Sequence, residues 1–175
     1  MSGTRSGARV ALDDQGAGAA NVATGLPVLD HLVGELARAG RFRIALEAAP
    51  DSTEEAVSAA AAALGAAFRE RLRAGVGWAL VPAAEALASA ALEVDPEPRL
   101  VTNADFSGSR VGGVSNDVAS RFLAELARAA GINLHVRVLE GDDPQHVLAS
   151  IFKAVGAALG QACRPAPTSH EEEGS

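Results

Sequence analysis

Imidazoles and carboxylates near the starts of predicted helices are the side chains of this chain that could do chemistry. His31 lies in the first predicted helix, Glu54 and Glu55 begin the second, and His146 begins the last. An imidazole changes charge near neutral pH, so it can move a proton, as a positioned carboxylate can. Each residue also has a structural interpretation: His31 could pack beside its apolar neighbours, His146 could be an exposed residue at a helix start, and the glutamates could favour the helix dipole.

Cationic side chains could bind an anion. Arg110 lies in a glycine-rich loop, Arg121 on a helix and Lys153 on an otherwise apolar helix face, where a lysine commonly extends to solvent. Both arginines could instead be exposed surface charges. His135 is predicted to be structural on a strand, and Trp78 to lie in the core or an interface. The chain has no Ser-His-Asp order, Walker loop, C-x-x-C pair or dinucleotide fingerprint.

Length and composition limit the class of protein. The 175 residues, 48% of them hydrophobic but only 3% aromatic, fit one domain or two closely packed halves with a core of small side chains. A net charge of −7 without a basic stripe argues against a nucleic-acid partner. The single Cys163 excludes an internal disulfide and suits the cytoplasm. We expect no signal peptide and no membrane span.

Periodicity and turn residues predict an α+β fold with helices on one face of each half-sheet. Helices are predicted from Pro27 to about Ala39, Glu54 to Ala74, Asn116 or Asp117 to Ala130, and Asp143 to about Ala162. Strands are predicted over Arg9–Leu12, Phe42–Ala48, Gly77–Pro82, Ala88–Val94, Arg99–Phe106 and Leu134–Leu139. Residues 108–113 are predicted to be a flexible loop, and residues 1–7 and 165–175 disordered tails.

An internal repeat organises these elements. Glu35 to Gly40 reads Glu-Leu-Ala-Arg-Ala-Gly and returns as Glu-Leu-Ala-Arg-Ala-Ala-Gly from Glu125 to Gly131. The strand that follows and the next helix are also echoed. A repeat that occurs twice is not a solenoid. It predicts two half-domains, residues 8–95 and 96–164, which pack against each other.

The chain resembles imidazoleglycerol-phosphate dehydratase of histidine biosynthesis. Residues 24–32, Thr-Gly-Leu-Pro-Val-Leu-Asp-His-Leu, are similar to that family's T-G-x-x-F-L-D-H-M, and residues 151–154 read I-F-K-A as in the family. Residues 110–112 and 129–135 also match. The resemblance spans about Val10 to Cys163. It implies a fold of two similar halves, each with a small sheet and two helices. It also implies trimers that join into a larger shell when metal is bound, and a manganese-dependent dehydration reaction.

The metal ligands that the resemblance implies are mostly missing. The L-D-H histidine is retained as His31. The three ligands of the family's first H-H-x-x-x-E motif fall on Glu54, Glu55 and Ser58. The histidine ligand of the third helix falls on Arg121. The ligands of the second H-H-x-x-x-E motif fall on Gln145, His146 and Ala149. Because Arg121 is permanently charged, we expect no bound metal. We also expect no other cofactor. We expect Glu54 or Glu55 to form a salt bridge with Arg121 across a subunit boundary.

The resemblance also implies a substrate site. Arg110 and Lys153 match residues that reach the substrate phosphate, Glu85 matches the glutamate of P-x-D-E, and Gln145 and Arg121 fall on inherited cleft positions. Ala84 and Glu97 replace an aspartate and an arginine of the family, so activity on imidazoleglycerol phosphate is not expected.

Three functions remain open. The first is a metal-independent lyase, dehydratase or cyclase on a small metabolite in bacterial specialised biosynthesis, with His31, Glu54, Glu55 and His146 as catalytic residues. The second is a non-catalytic oligomeric binding or regulatory protein, and the third a residual metal-dependent dehydratase. We expect a homotrimer that does not join into the larger shell.

Overall fold

The computed structural model describes residues 6–48, 53–105, 110–111 and 114–165. The elements, in chain order, are β1 Gly7–Leu12, β2 Ala19–Ala23, α1 Pro27–Gly40, β3 Phe42–Glu47, α2 Thr53–Arg69, β4 Val76–Ala83, β5 Ala86–Val94, β6 Arg99–Thr102, β7 Arg110–Val111, β8 Val114–Ser115, α3 Asn116–Ala130, β9 Ile132–Glu140 and α4 Pro144–Ala162. The predicted α+β class is confirmed. The predicted tails lie outside the described residues except at their inner ends, where β1 already begins at Gly7.

The internal repeat is visible in the strand order. The first sheet has the order β1-β3-β2, with β3 antiparallel to β1 and parallel to β2. The second has the order β4-β5-β9-β6, with β9 antiparallel to β5 and parallel to β6. The second sheet therefore repeats the first and adds β4 at one edge. The predicted boundary between half-domains at residues 95 and 96 stays a prediction.

The repeat also governs how the helices pack. A side chain at Gly65 in α2 would meet the Leu126 carbonyl of α3 at 2.6 Å, and one at Gly156 in α4 would meet the Leu36 carbonyl of α1 at 2.2 Å. Both approaches are too close for any residue but glycine. Since the two glycines occupy equivalent places in the repeat, α2 crosses α3 as α4 crosses α1. These crossings determine which helix ends lie side by side.

Four fully buried phenylalanines anchor a core that, apart from Cys163, otherwise consists of Ala, Leu, Val and Ile. The rings of Phe42 and Phe68 meet edge-on with centroids 5.0 Å apart, and those of Phe122 and Phe152 lie 5.9 Å apart. Cys163 is buried, and burial raises the pKa of its thiol to about 11. Within the described ranges, no helix is long and apolar enough to cross a membrane.

Local hydrogen bonds fix the start of α1 and of α4. The Asp30 carboxylate, in the first turn of α1, accepts the Thr24 backbone N–H at 3.1 Å and also bonds the buried Thr24 hydroxyl. As predicted, Asp143 caps α4, because its carboxylate accepts the backbone N–H of Gln145 at 2.8 Å. Both helix starts carry candidate functional residues, so these hydrogen bonds help to place them.

The C-terminal end of α4 connects several elements. The Arg164 guanidinium donates to the carbonyls of Gly40, Gly160 and Arg41, each at 2.9 Å, and to Asp14 at 3.0 Å. It thereby satisfies carbonyls at the ends of α1 and α4. On the other side, the Gln161 side chain accepts the Trp78 backbone N–H of β4 at 3.1 Å.

Some boundaries differ from the predicted ones. α2 ends at Arg69 rather than near residue 74, because the N–H groups of Arg73 and Ala74 donate to the carbonyl of Ala162 in α4. β6 ends at Thr102, after which the Asn103 side chain pairs with Val138. β7 lies in the predicted flexible loop and forms a short antiparallel pair with β8, which follows that loop. Residues 106–109 and 112–113 lie outside the described ranges.

Candidate functional site

The predicted ion pair between Arg121 and a glutamate of α2 is present. Arg121 Nη1 lies 3.3 Å from Glu54 Oε1. The pair was predicted to cross a subunit boundary, but it lies within one chain because α2 and α3 pack side by side. Both side chains are exposed, so the pair contributes at most about 1 kcal/mol to stability. Glu55 is also exposed in the first turn of α2.

A second cluster joins α1 to α4 around Glu35. This half-buried carboxylate lies 3.0 Å from Arg38 Nη2, 3.7 Å from His31 Nε2 and 3.8 Å from Lys153 Nζ. The predicted Lys153 therefore reaches a carboxylate of a neighbouring helix. In the second repeat, the pair of Glu125 and Arg128 matches that of Glu35 and Arg38.

His146 and Glu85 form a third cluster, a histidine–carboxylate pair. His146 Nδ1 lies 2.6 Å from Glu85 Oε2, and Glu85 Oε1 accepts the Asp143 backbone N–H at 3.0 Å. The turn between β4 and β5 carries Glu85, and the first turn of α4 carries His146. Hydrogen bonds from the Asp143 and Glu85 backbone and from His146 lower the pKa of Glu85 to about 2.

This geometry gives the two nitrogens of His146 different roles. Because Glu85 is ionised at neutral pH, it accepts a hydrogen bond from Nδ1–H, and in the neutral ring the lone pair is then on Nε2. A carboxylate that holds an imidazole in this way also stabilises the imidazolium that forms when Nε2 takes up a proton. The pair is therefore suited to general base catalysis.

The predicted site residues are thus divided among three clusters. The pairs are Arg121 with Glu54, His31 and Lys153 with Glu35, and His146 with Glu85. Gln145 is exposed and contributes its backbone N–H to the cap of α4. The side chain of Arg110 lies outside the described residues.

Two relationships were missed in the sequence. Glu35 was not predicted as a site residue, although it lies at i+4 from His31 and i−3 from Arg38, a spacing that signals contact on a helix. Glu85 was assigned to substrate rather than to His146. Only the packing of the β4–β5 turn against α4 brings that pair together.

The manganese that the resemblance implies does not fit these residues. Arg121 places a permanent positive charge against Glu54, and Ser58 and Ala149 stand where the family pattern has carboxylates. Within the described part of one chain, no three His, Cys, Asp or Glu residues are grouped so that they could hold a metal ion. A divalent manganese site needs several such donors at one point.

Comparisons with known proteins agree on one family. The sequence model described as imidazoleglycerol-phosphate dehydratase matches residues 24–159. Proteins of that description from Pelobacter propionicus and Desulfitobacterium hafniense are each 36% identical over 167 residues, which is 91% of this chain and 86% and 85% of theirs.

Solved structures share the fold. The crystal structure of imidazoleglycerol-phosphate dehydratase from Staphylococcus aureus is similar with a TM-score of 0.80 at 23% identity, over 93% of this chain and 95% of that one. The enzyme from Pyrococcus furiosus gives a TM-score of 0.79 at 21% identity, over 98% and 96%.

Proposed function

We propose that this chain, which belongs to the imidazoleglycerol-phosphate dehydratase family, is a metal-independent lyase that removes water from a small metabolite. The hydrogen bond between His146 and Glu85 is the observation that carries the proposal. It orients an imidazole and leaves Nε2 able to accept a proton without a metal ion.

The reaction needs a base and an acid. His146 Nε2 removes a proton from carbon, a C=C bond forms, and the hydroxyl on the neighbouring carbon leaves as water after it receives a proton from an acid. Glu85 is a positioning residue that stabilises the imidazolium. We propose that the cleft lies between copies of the chain, so that residues of the separate clusters meet there. We assign the acid to His31 and include Glu54 and Glu55 among the catalytic groups. Arg110, Arg121, Lys153 and Gln145 would bind the substrate.

A second candidate is the reaction named in the description of the relatives, dehydration of imidazoleglycerol phosphate with manganese. Sequence identity of 36% over most of the chain favours this candidate. The residues at the family's metal-ligand positions, with Arg121 among them, argue against it. A third candidate is a non-catalytic binding or regulatory protein. The simultaneous presence of Arg121, Ser58 and Ala149 at ligand positions favours that candidate.

One experiment separates the three. The purified chain is assayed with imidazoleglycerol phosphate and with a panel of related phosphorylated polyols, once with added manganese and once with a chelator. Turnover that resists the chelator and falls at least about 100-fold in His146→Gln supports the first candidate. Turnover that requires manganese, with stoichiometric metal in the protein, establishes the second. Absence of turnover under both conditions favours the third.

A role in specialised biosynthesis, a cytoplasmic location and a homotrimer belong to the same proposal. The buried, unpaired Cys163 suits a reducing compartment. Metal joins the family's trimers into a larger shell. Because this chain has other residues at the metal-ligand positions, we propose that its assembly stops at the trimer.

A further inference from the structure

The crossing of α1 with α4 carries a group of charged side chains, the Glu35 cluster, which consists of His31, Glu35, Arg38 and Lys153. Glu35 Oε1 lies 3.0 Å from Arg38 Nη2, and Glu35 Oε2 lies 3.8 Å from Lys153 Nζ. His31 Nε2 lies 3.7 Å from Oε1 and adds a further positive charge when its ring is protonated. One carboxylate thus faces two cationic side chains, so the Glu35 cluster has at least one positive charge in excess.

This excess charge is partly withdrawn from water. The Glu35 side chain is 19% exposed and that of Lys153 is 31% exposed, and the neighbouring Phe152 and Ala154 are fully buried. Withdrawing a charge from water costs free energy unless an opposite charge compensates it. A bound anion would supply the charge that the Glu35 cluster lacks.

The crossing of α2 with α3, which the repeat makes equivalent, shows that a glutamate in this position does not need a lysine as its partner. Glu125 pairs with Arg128 there, in the places of Glu35 and its own arginine. Ala62 occupies the position that Lys153 has in the other repeat. The carboxylate–guanidinium pair therefore forms without a lysine opposite it, and Lys153 is an additional cation that a ligand can use.

Glu35 restricts the kind of anion that Lys153 can bind. Because Glu35 Oε2 lies 3.8 Å from Lys153 Nζ, an anion that contacts the ammonium group also lies close to a carboxylate. The repulsion between that anion and Glu35 is proportional to the charge of the anion. A phosphate monoester carries about 1.5 to 2 negative charges at neutral pH, whereas a carboxylate carries one. The small excess of positive charge is therefore matched better by a carboxylate.

We propose that Glu35 is a specificity-determining residue and that Lys153 binds a carboxylate of the substrate in preference to a phosphate. This inference rests on the proposed function, in which Lys153 contacts the substrate, and it identifies that substrate as a small hydroxy acid. His31, the proposed acid, lies beside the same Glu35 carboxylate. A carboxylate bound to Lys153 therefore lies near the group that protonates the leaving hydroxyl. The family resemblance implies a phosphate at Lys153, and the charge of Glu35 is the reason for the difference.

Lys153 is the only lysine of the chain, so isotope-labelled lysine introduces one labelled side chain whose NMR signals report on this site. The full chain is titrated with glycerate and, separately, with glycerol 1-phosphate, which share two hydroxyl groups and differ in the anionic group. We expect glycerate to shift the Lys153 signals to saturation, with a dissociation constant about tenfold lower than that of glycerol 1-phosphate. No shift with glycerate, or equally tight binding of glycerol 1-phosphate, overturns the proposal.

Two substitutions test the role of Glu35. Glu35→Gln removes the repelling charge, so glycerol 1-phosphate should bind at least about tenfold more tightly than to the wild type and the preference for glycerate should disappear. Glu125→Gln is the matched control, because it makes the same change of charge at the equivalent place in the other repeat, and it should keep the wild-type preference. Circular dichroism verifies the fold of both variants. A Glu35→Gln protein that keeps the preference, or a Glu125→Gln protein that loses it equally, contradicts the proposal.

Binding and turnover are separate readouts, so failure of this inference can be told from failure of the proposed lyase. Selective binding of glycerate at Lys153, without turnover of any hydroxy acid, would refute the lyase and support the carboxylate site. Turnover of a phosphorylated polyol by a protein that does not bind glycerate would refute the carboxylate site alone.

Discussion

Replacing Gly156 by alanine should push α1 and α4 apart. The added Cβ would lie 2.2 Å from the Leu36 carbonyl oxygen, whereas ordinary contacts begin at 3.4 Å. The obstacle is the backbone of a packed helix, so the helices must separate by about 1 Å, and a gap of that size removes a quarter to a half of the contact energy at their interface. Overpacking lowers the free energy of unfolding by about 1–3 kcal/mol, and the better helix propensity of alanine offsets at most about 1 kcal/mol of that loss.

We therefore expect Gly156→Ala to lower the free energy of unfolding by about 2 kcal/mol. For a chain of this size the Tm should fall by about 4–8 °C. The assay is thermal unfolding followed by circular dichroism at one fixed protein concentration, because association of copies raises Tm.

Gly34→Ala is the matched control. Within the described part of the chain, the nearest atoms to its added Cβ belong to the flexible Arg38 guanidinium, the first of them at 3.4 Å. This change should leave stability unchanged or raise it by up to about 1 kcal/mol. A Gly156→Ala protein as stable as wild type, or a Gly34→Ala protein damaged equally, would refute the packing argument.

Three further predictions concern charged groups. Arg164→Gln removes a largely buried guanidinium that binds helix-end carbonyls, and should lower the free energy of unfolding in urea by about 1–3 kcal/mol. Because the pKa of Glu85 falls from 4.5 to about 2 on folding, its contacts stabilise the fold above pH 4.5, and this contribution is lost as the pH falls towards 2. Glu85→Gln should accordingly show a shallower fall in Tm over that range, and an unchanged slope would contradict the assignment. Glu54→Gln breaks an exposed pair with Arg121 and should change Tm by less than about 4 °C.

Much of the fold could be predicted because hydrophobic periodicity and capping residues are local signals. α1, α3 and α4 follow them closely. β2 could not be predicted, since its sequence Ala-Ala-Asn-Val-Ala has little strand propensity. That strand forms by parallel pairing with β3, a contact that no short window of sequence reports.

The contacts that the candidate site residues make could be predicted only in part. The repeat aligns Arg121 with His31 and Glu55 with His146. The predicted pair of Arg121 with Glu54 is present, but it lies within one chain and not across the predicted subunit boundary. The contact of His146 with Glu85 joins residues 61 positions apart. It depends on how the β4–β5 turn packs against α4, a tertiary arrangement that overrides any local pattern.

The hydrogen bond from the Trp78 backbone N–H to Gln161 also limits how copies of this chain can aggregate. β4 is an edge strand with exposed apolar side chains, and an open edge of that kind can template the addition of a strand from another molecule. Here the Gln161 side chain occupies a donor that an incoming strand would need. A Cβ added at Gly77 would lie 2.1 Å from the Ala158 carbonyl oxygen, so α4 packs closely against the inner face of this part of β4. Fibre growth by strand addition at this part of β4 is therefore disfavoured, although the adjacent sheet surface is apolar.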